Sequence, residues 1–233
     1  MLIKVQGIRM KEKLTIDKLK TEAKAFCIAE SKIQNKSLFG VTDGKAVGTH
    51  IEHKFQEQLN SKYKTTIGSS ANGIDLPSEE VLTDIKVTSI KQPQSSCPFK
   101  DAKQKIFGLG YNLLVFVYDK IDDPKTKTAK LDFVSCSFIS KERTADYTTT
   151  YRLREMIKDK ANVEDIVAYL NDKNIPADEI TLNQLAKQIL KTPPVQGYLT
   201  ISNALQWRLQ YQRVVALDKA VQGISKVIDK VAK

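Results

Sequence analysis

The sequence predicts an α/β fold: a mixed sheet flanked by helices, followed by an α-helical C-terminal region. Three observations carry this. A stretch with one apolar stripe at helical spacing precedes short β-branched runs. Next, Asn112–Tyr118 is almost wholly apolar, as a strand buried on both faces of a sheet must be. Beyond Ser140 the patterning turns polar and then helical.

Residues 12–35 are rich in Lys, Glu, Ala and Ile with few breakers, which predicts a helix from about Thr15 to Ile33. A turn follows at Phe39–Gly44. From Ala46 to Leu59, residues Ile51, Phe55 and Leu59 recur every four positions, so one face of a second helix meets the core and Glu52 sits beside that stripe. Thr65–Ser70, Ile74–Leu76 and Val81–Thr88 read as strands. The turn at Pro77 and Ser78 makes a hairpin of the last two. Gln92–Pro98, with two prolines and two serines, reads as a loop, and Phe99–Phe107 as a short amphipathic helix ended by Gly108 and Gly110. Strands at Asn112–Tyr118 and Leu131–Ile139 complete a mixed sheet. Helices are then expected near Thr150–Lys160, Val163–Asn171, Leu182–Leu190 and Ile201–Val231, with Pro176 and Pro193–Pro194 at their ends. The expected division is a core over 1–143 and a helical region over 144–233.

The chain has 233 residues, 41% of them hydrophobic and 27% charged, ordinary values for a globular protein. Its 37 Lys and Arg against 27 Asp and Glu give a net charge of +10 and favour a polyanionic partner, since each neutralised phosphate releases counterions. No long apolar run and no signal-peptide core appear, so the expectation is a cytoplasmic protein with no membrane partner. Cys27, Cys97 and Cys136 are scattered, with no His or Cys neighbour at zinc spacing, and are expected to be reduced and packed. His50 and His53 lack a third ligand and are expected to be structural.

Phosphodiester hydrolysis needs a cation to stabilise charge on the phosphate, a water made nucleophilic and help for the leaving oxygen. In Thr83-Asp84-Ile85-Lys86-Val87 the strand period puts Asp84 and Lys86 on one face, about 7 Å apart by strand rise. Asp75 stands nine residues before Asp84, on the expected partner strand, where cross-strand neighbours approach to about 5 Å. The oxygen-only carboxylate pair suits Mg²⁺. A lysine beside it can orient or deprotonate the attacking water.

Ile74-Asp75-Leu76-Pro77 followed by Asp84-Ile85-Lys86 resembles the PD-(D/E)XK nuclease superfamily, specifically its type II restriction endonucleases, over roughly residues 46–140. The resemblance implies a restriction-endonuclease-like sheet and Mg²⁺-dependent double-strand cleavage of DNA at a specific sequence. It also implies Asp75 and Asp84 as metal ligands, Lys86 as the catalytic lysine and Glu52 as the additional acidic residue. Here Asp75 precedes Leu76-Pro77 instead of following a proline.

Two regions are candidates for reading DNA. The loop after Lys86 offers Lys91, Gln92, Gln94, Ser95 and Ser96, whose amides and cation match base edges. Lys187 to Lys233 carries eight Lys and Arg against two Asp, and its segment from Thr181 to Arg213 resembles a helix-turn-helix. Ser202 would cap the second helix, and Asn203, Gln206, Arg208, Gln210 and Arg213 would touch the duplex. Leu205 and Leu209 with Trp207, an apolar stripe in the same segment, could instead be core or serve self-association, and symmetric double-strand cleavage is most simply done by a homodimer on double-stranded DNA. Two rival readings stand beside this one: a non-catalytic DNA-binding regulator, and a repair or nicking nuclease on the same core.

Overall fold

The computed structural model describes residues 11–68, 73–97, 100–202 and 207–231. Along the chain run β1 (Glu12–Lys13), α1 (Ile16–Glu30), β2 (Gln34–Asn35), α2 (Gly44–Lys62), β3 (Tyr63–Lys64), β4 (Thr83–Ser89), β5 (Gln94–Cys97), α3 (Lys103–Phe107), β6 (Asn112–Asp123) and β7 (Thr128–Ile139). There follow α4 (Tyr147–Lys158), α5 (Val163–Asp172), α6 (Glu179–Lys191), β8 (Thr200–Ile201), β9 (Trp207–Gln210), α7 (Gln212–Val215) and β10 (Ile224–Asp229).

Side chains that accept from backbone N–H groups start the long helices. Thr15 caps α1 and Asp43 caps α2, each such cap worth about 1 kcal/mol. The buried face of α2 is Val47, Ile51, Phe55 and Leu59, the stripe expected from its spacing.

The main sheet has the order β10-β7-β6-β4, with β2 added to β7. Strands β4 and β6 run parallel, linked across α3, while the β6–β7 and β7–β10 pairs are antiparallel. Residues Asn112–Tyr118 of β6 are buried on both faces, as their apolar run requires. Leu114, Phe116 and Tyr118 meet the helices α1 and α2, where Phe26, Phe55, Phe116 and Phe133 pack with ring centroids 5.1 to 6.1 Å apart. On the other face Leu113, Val115 and Val117 meet Trp207, Leu209, Tyr211 and Val214 from the C-terminal part of the chain. A third cluster joins α4, α5 and α6 to Ile106 of α3. All three cysteines are buried and none is in a disulfide, in keeping with the expectation of packed thiols. No helix among the described residues is long and apolar enough to cross a membrane.

Several local expectations change. Thr65–Gly68 and Ile74–Leu76 are not strands; the hairpin reduces to one bridge, Leu76 to Thr83, because β4 takes β6 as its main partner. The loop over Gln92–Pro98 contains a strand, β5. The helix expected over Ile201–Val231 is absent among the described residues, and with it the second helix of the helix-turn-helix. Thr200–Ile201, Trp207–Gln210 and Ile224–Asp229 are strands. Trp207, Leu209 and Tyr211 alternate with Arg208 and Gln210, a strand period that also happens to place apolar residues at helical intervals. The C-terminal region has its long helices in α4 to α6; after them only the one-turn α7 is helical among the described residues, and β10 returns to the main sheet against β7.

Candidate active site

Strand β4 is the edge of the main sheet. One edge is taken by β6, and the N–H groups of alternate residues point away from it. Thr83 gives its N–H to the carbonyl of Leu76 at 3.0 Å. Two residues on, the backbone before Leu76 has diverged, and the N–H of Ile85 is met by the Asp75 carboxylate instead, with Oδ2 accepting at 2.7 Å. Asp75 thus continues the ladder with its side chain and is fixed at the sheet edge.

Along β4 the alternation sends Ile85 into the core with Ile51, Phe55 and Leu59 of α2, and Asp84 and Lys86 to the opposite face. Lys86 Nζ lies 2.7 Å from Asp84 Oδ2. Helix α2 brings Glu52 to the same edge, where Gln56 Nε2 links its carboxyl to that of Asp75, and the charge of Asp75 acts on both Glu52 and Asp84. The four residues singled out in the sequence therefore form one cluster, although Asp75 reaches it from an irregular segment and not from a partner strand.

Gln56 completes the arrangement. One helical turn after Glu52, it is buried, and its Nε2 donates to Asp75 Oδ1 at 3.1 Å and to Glu52 Oε1 at 3.4 Å. Sequence reasoning missed it, yet the i, i+4 spacing from Glu52 places the two on one helix face and was the available signal.

Glu52 and Asp84, crowded beside Asp75 at one edge, resist ionising. Burial and the hydrogen bond and charge of Asp75 push Glu52 up to about 8, against the pull of Lys86. Burial and Asp75 push Asp84 up to about 7, again opposed by Lys86. Burial alone would lower the Lys86 pKa, but Asp84, Asp75 and Glu52 outweigh it and hold the ammonium charged above its usual range. Without a cation the carboxyls share protons at neutral pH, and a divalent cation would displace them. Among the described residues no three carboxylate, thiol or imidazole side chains form a ready-made metal cage. Mg²⁺ does not require one, since it keeps several waters and binds through one or two carboxylates. The oxygen-only donor set of Asp75 and Asp84, with Glu52 alongside, fits such an ion.

His50 and His53 stay outside the cluster; His50 lies near Lys54 and Glu30, and burial and the Lys54 charge lower its pKa. Some of the residues expected to read DNA come together from the two candidate regions. Strand β5, which holds Gln94, Ser95 and Ser96, pairs antiparallel with β9, which holds Arg208 and Gln210, and β8 pairs with β9 on its other side. Lys91 and Gln92 lie exposed in the turn between β4 and β5. The Arg213 guanidinium stacks over the Tyr147 ring, 3.7 Å from its centroid. Asn203 and Gln206 lie outside the described residues.

The family model described as Type II restriction enzyme NspV matches residues 13–226, a span that takes in both the acidic cluster and the small sheet. The Type II restriction enzyme NspV of a Nostoc species is 53% identical over 214 residues, which is 92% of this chain and 96% of that protein. No solved structure matches the chain.

Proposed function

The chain belongs to the type II restriction enzyme NspV family, and from that membership together with its acidic cluster we propose that it hydrolyses double-stranded DNA at a specific sequence with Mg²⁺ as cofactor. The observation that carries the reading is the convergence of Asp75, Asp84, Glu52 and Lys86 on the open edge of β4. The site is of the PD-(D/E)XK kind.

Asp75 and Asp84 are the ligands for the ion, with Glu52 beside them. When bound, the ion supplies charge stabilisation at the scissile phosphate and makes water a better nucleophile near neutral pH. Asp75 is oriented twice, by the Ile85 N–H and by Gln56, so its carboxylate is held in place before substrate arrives. Lys86 is held as an ammonium by Asp84, which suits donating a hydrogen bond to the attacking water or to a phosphate oxygen and not abstracting a proton. In the reaction the attacking water gives up a proton to solvent as its oxygen forms a bond to phosphorus, the bond to the leaving sugar oxygen breaks, and that oxygen takes up a proton from solvent. Cutting both strands of a symmetric site is most simply done by two such centres related by a two-fold axis, hence a homodimer.

Incubating the protein with long DNA and Mg²⁺, with a chelator control, and separating the products on a gel tests the proposal. Discrete fragments only when Mg²⁺ is present are expected. Nicks or smears would favour a repair or nicking nuclease, and intact but retarded DNA a non-catalytic binding protein.

A further inference from the structure

We propose that the solvent face of the small sheet, carrying Gln94 and Ser96 from β5 and Arg208 and Gln210 from β9, reads base edges in the major groove. This rests on the reading of the chain as a DNA-cleaving enzyme and goes beyond it by assigning sequence discrimination to one surface.

The register defines the face. Ser96 stands opposite Arg208 and Gln94 opposite Gln210, and directly opposed residues of an antiparallel pair project to the same side with Cβ atoms about 5 Å apart. Arg208, Gln210 and Ser96 are exposed and Gln94 is half-buried. The other side of the same strands turns inward. Trp207, Leu209 and Cys97 are buried in the core, and the Ser95 hydroxyl bonds the hydroxyl of Tyr211, itself fully buried. One side of the ribbon is thus packed while the other presents a guanidinium, two primary amides and a hydroxyl, with no carboxylate among the four.

Those groups suit one ligand. A two-stranded ribbon fits the major groove, an Arg fork matches O6 and N7 of guanine, and a Gln amide matches N6 and N7 of adenine. The face is also tied to the chemistry. The Thr88 hydroxyl, two residues after Lys86 on β4, accepts the Gln94 N–H at 3.1 Å and lies 3.0 Å from the Gln94 carbonyl. At the other side of the sheet the Asp146 carboxylate caps α4 and accepts the N–H of Ile201 at 2.8 Å. An open groove of about 520 Å³ starts at Val87, the residue after Lys86, and runs to Arg208, with Lys45 and Lys91 also lining it. Phosphates held by these lysines would set the ribbon at a fixed distance from the bond to be cut.

The test is cleavage of a randomised double-stranded DNA library with Mg²⁺, followed by sequencing of the cut ends, for the parent protein and for folded Arg208→Ala, Gln210→Ala and Lys91→Ala variants. Arg208→Ala and Gln210→Ala should each relax the preference at one base pair of the half-site, by roughly ten- to hundredfold, with the other positions unchanged. Lys91→Ala should slow cutting of every sequence alike. If Arg208→Ala and Gln210→Ala both keep the parent's preference at every position, the inference fails while DNA cleavage stands. If the parent itself yields no cut ends, the DNA-cleaving reading fails and the inference with it.

Discussion

The Asp75 carboxylate accepts the backbone N–H of Ile85 at 2.7 Å, so one acidic side chain both extends the edge of the sheet and stands in the acidic cluster proposed to hold Mg²⁺. Its two duties separate by substitution. Asp75→Asn keeps an oxygen for Ile85 and should leave stability within about 1 kcal/mol of the parent while abolishing cleavage. Asp75→Ala leaves the N–H of Ile85 and the amide of Gln56 without their partner, and should cost about 1–3 kcal/mol as well. Urea unfolding beside plasmid cleavage distinguishes the two.

Gln56 touches Asp75 and Glu52 but has no charge to offer an ion. Gln56→Leu should lower cleavage by about ten- to a hundredfold and raise the Mg²⁺ concentration giving half-maximal rate, as expected when a group orienting metal ligands is lost. A merely structural role would lower melting temperature without moving the Mg²⁺ dependence.

The proton-sharing carboxyls give the metal-free protein a stability that depends on pH in a defined direction. Glu52 and Asp84 titrate near 8 and 7 in the folded state, against 4.5 and 3.8 for the unperturbed groups. Between these limits the folded state holds protons that the unfolded chain has lost, so the free energy of unfolding falls as pH rises. Thermal melts in chelator should therefore show lower stability at pH 8.5 than at pH 6, and Glu52→Gln should flatten the slope. Mg²⁺ binds the deprotonated form, so its affinity and the cleavage rate should both climb over the same range. A Mg²⁺ affinity that does not change across that range would contradict the shared protons.

Gly108 ends α3 with a φ of 93°, and a Cβ there would come within 2.5 Å of the Lys141 carbonyl oxygen. Gly108→Ala should destabilise the protein by more than about 1 kcal/mol, through left-handed strain and the clash together. Denaturant midpoints measure this directly.

How legible these features were depends on the range of the interactions behind them. The stripe Ile51, Phe55 and Leu59 and the apolar run of β6 are local patterns fixed by burial, and both elements form where their periodicity lies. Asp84 and Lys86 fall on one face of β4 for the same reason. Asp75 was legible by type, but its route to the site depends on Leu76 bridging Thr83, a tertiary choice. Strand β5 was not legible. Gln94–Cys97 is polar, follows Pro93, and becomes a strand because β9 pairs with it, with Ser95 and Tyr211 116 positions apart. Conversely, Leu205 and Leu209 read as one helical stripe, whereas Trp207, Leu209 and Tyr211 bury one side of a strand. Parts of the two candidate regions for DNA reading, Gln94–Cys97 and Trp207–Gln210, thus pair in one sheet.

The most direct test of the central claim is single-turnover cleavage of a duplex containing the enzyme's site by Lys86→Ala protein, with binding measured in parallel in Ca²⁺. The cluster predicts binding close to that of the parent and a cleavage rate lower by about a thousandfold, some 4 kcal/mol in the barrier. Cleavage by Lys86→Ala at the parent's rate would contradict it.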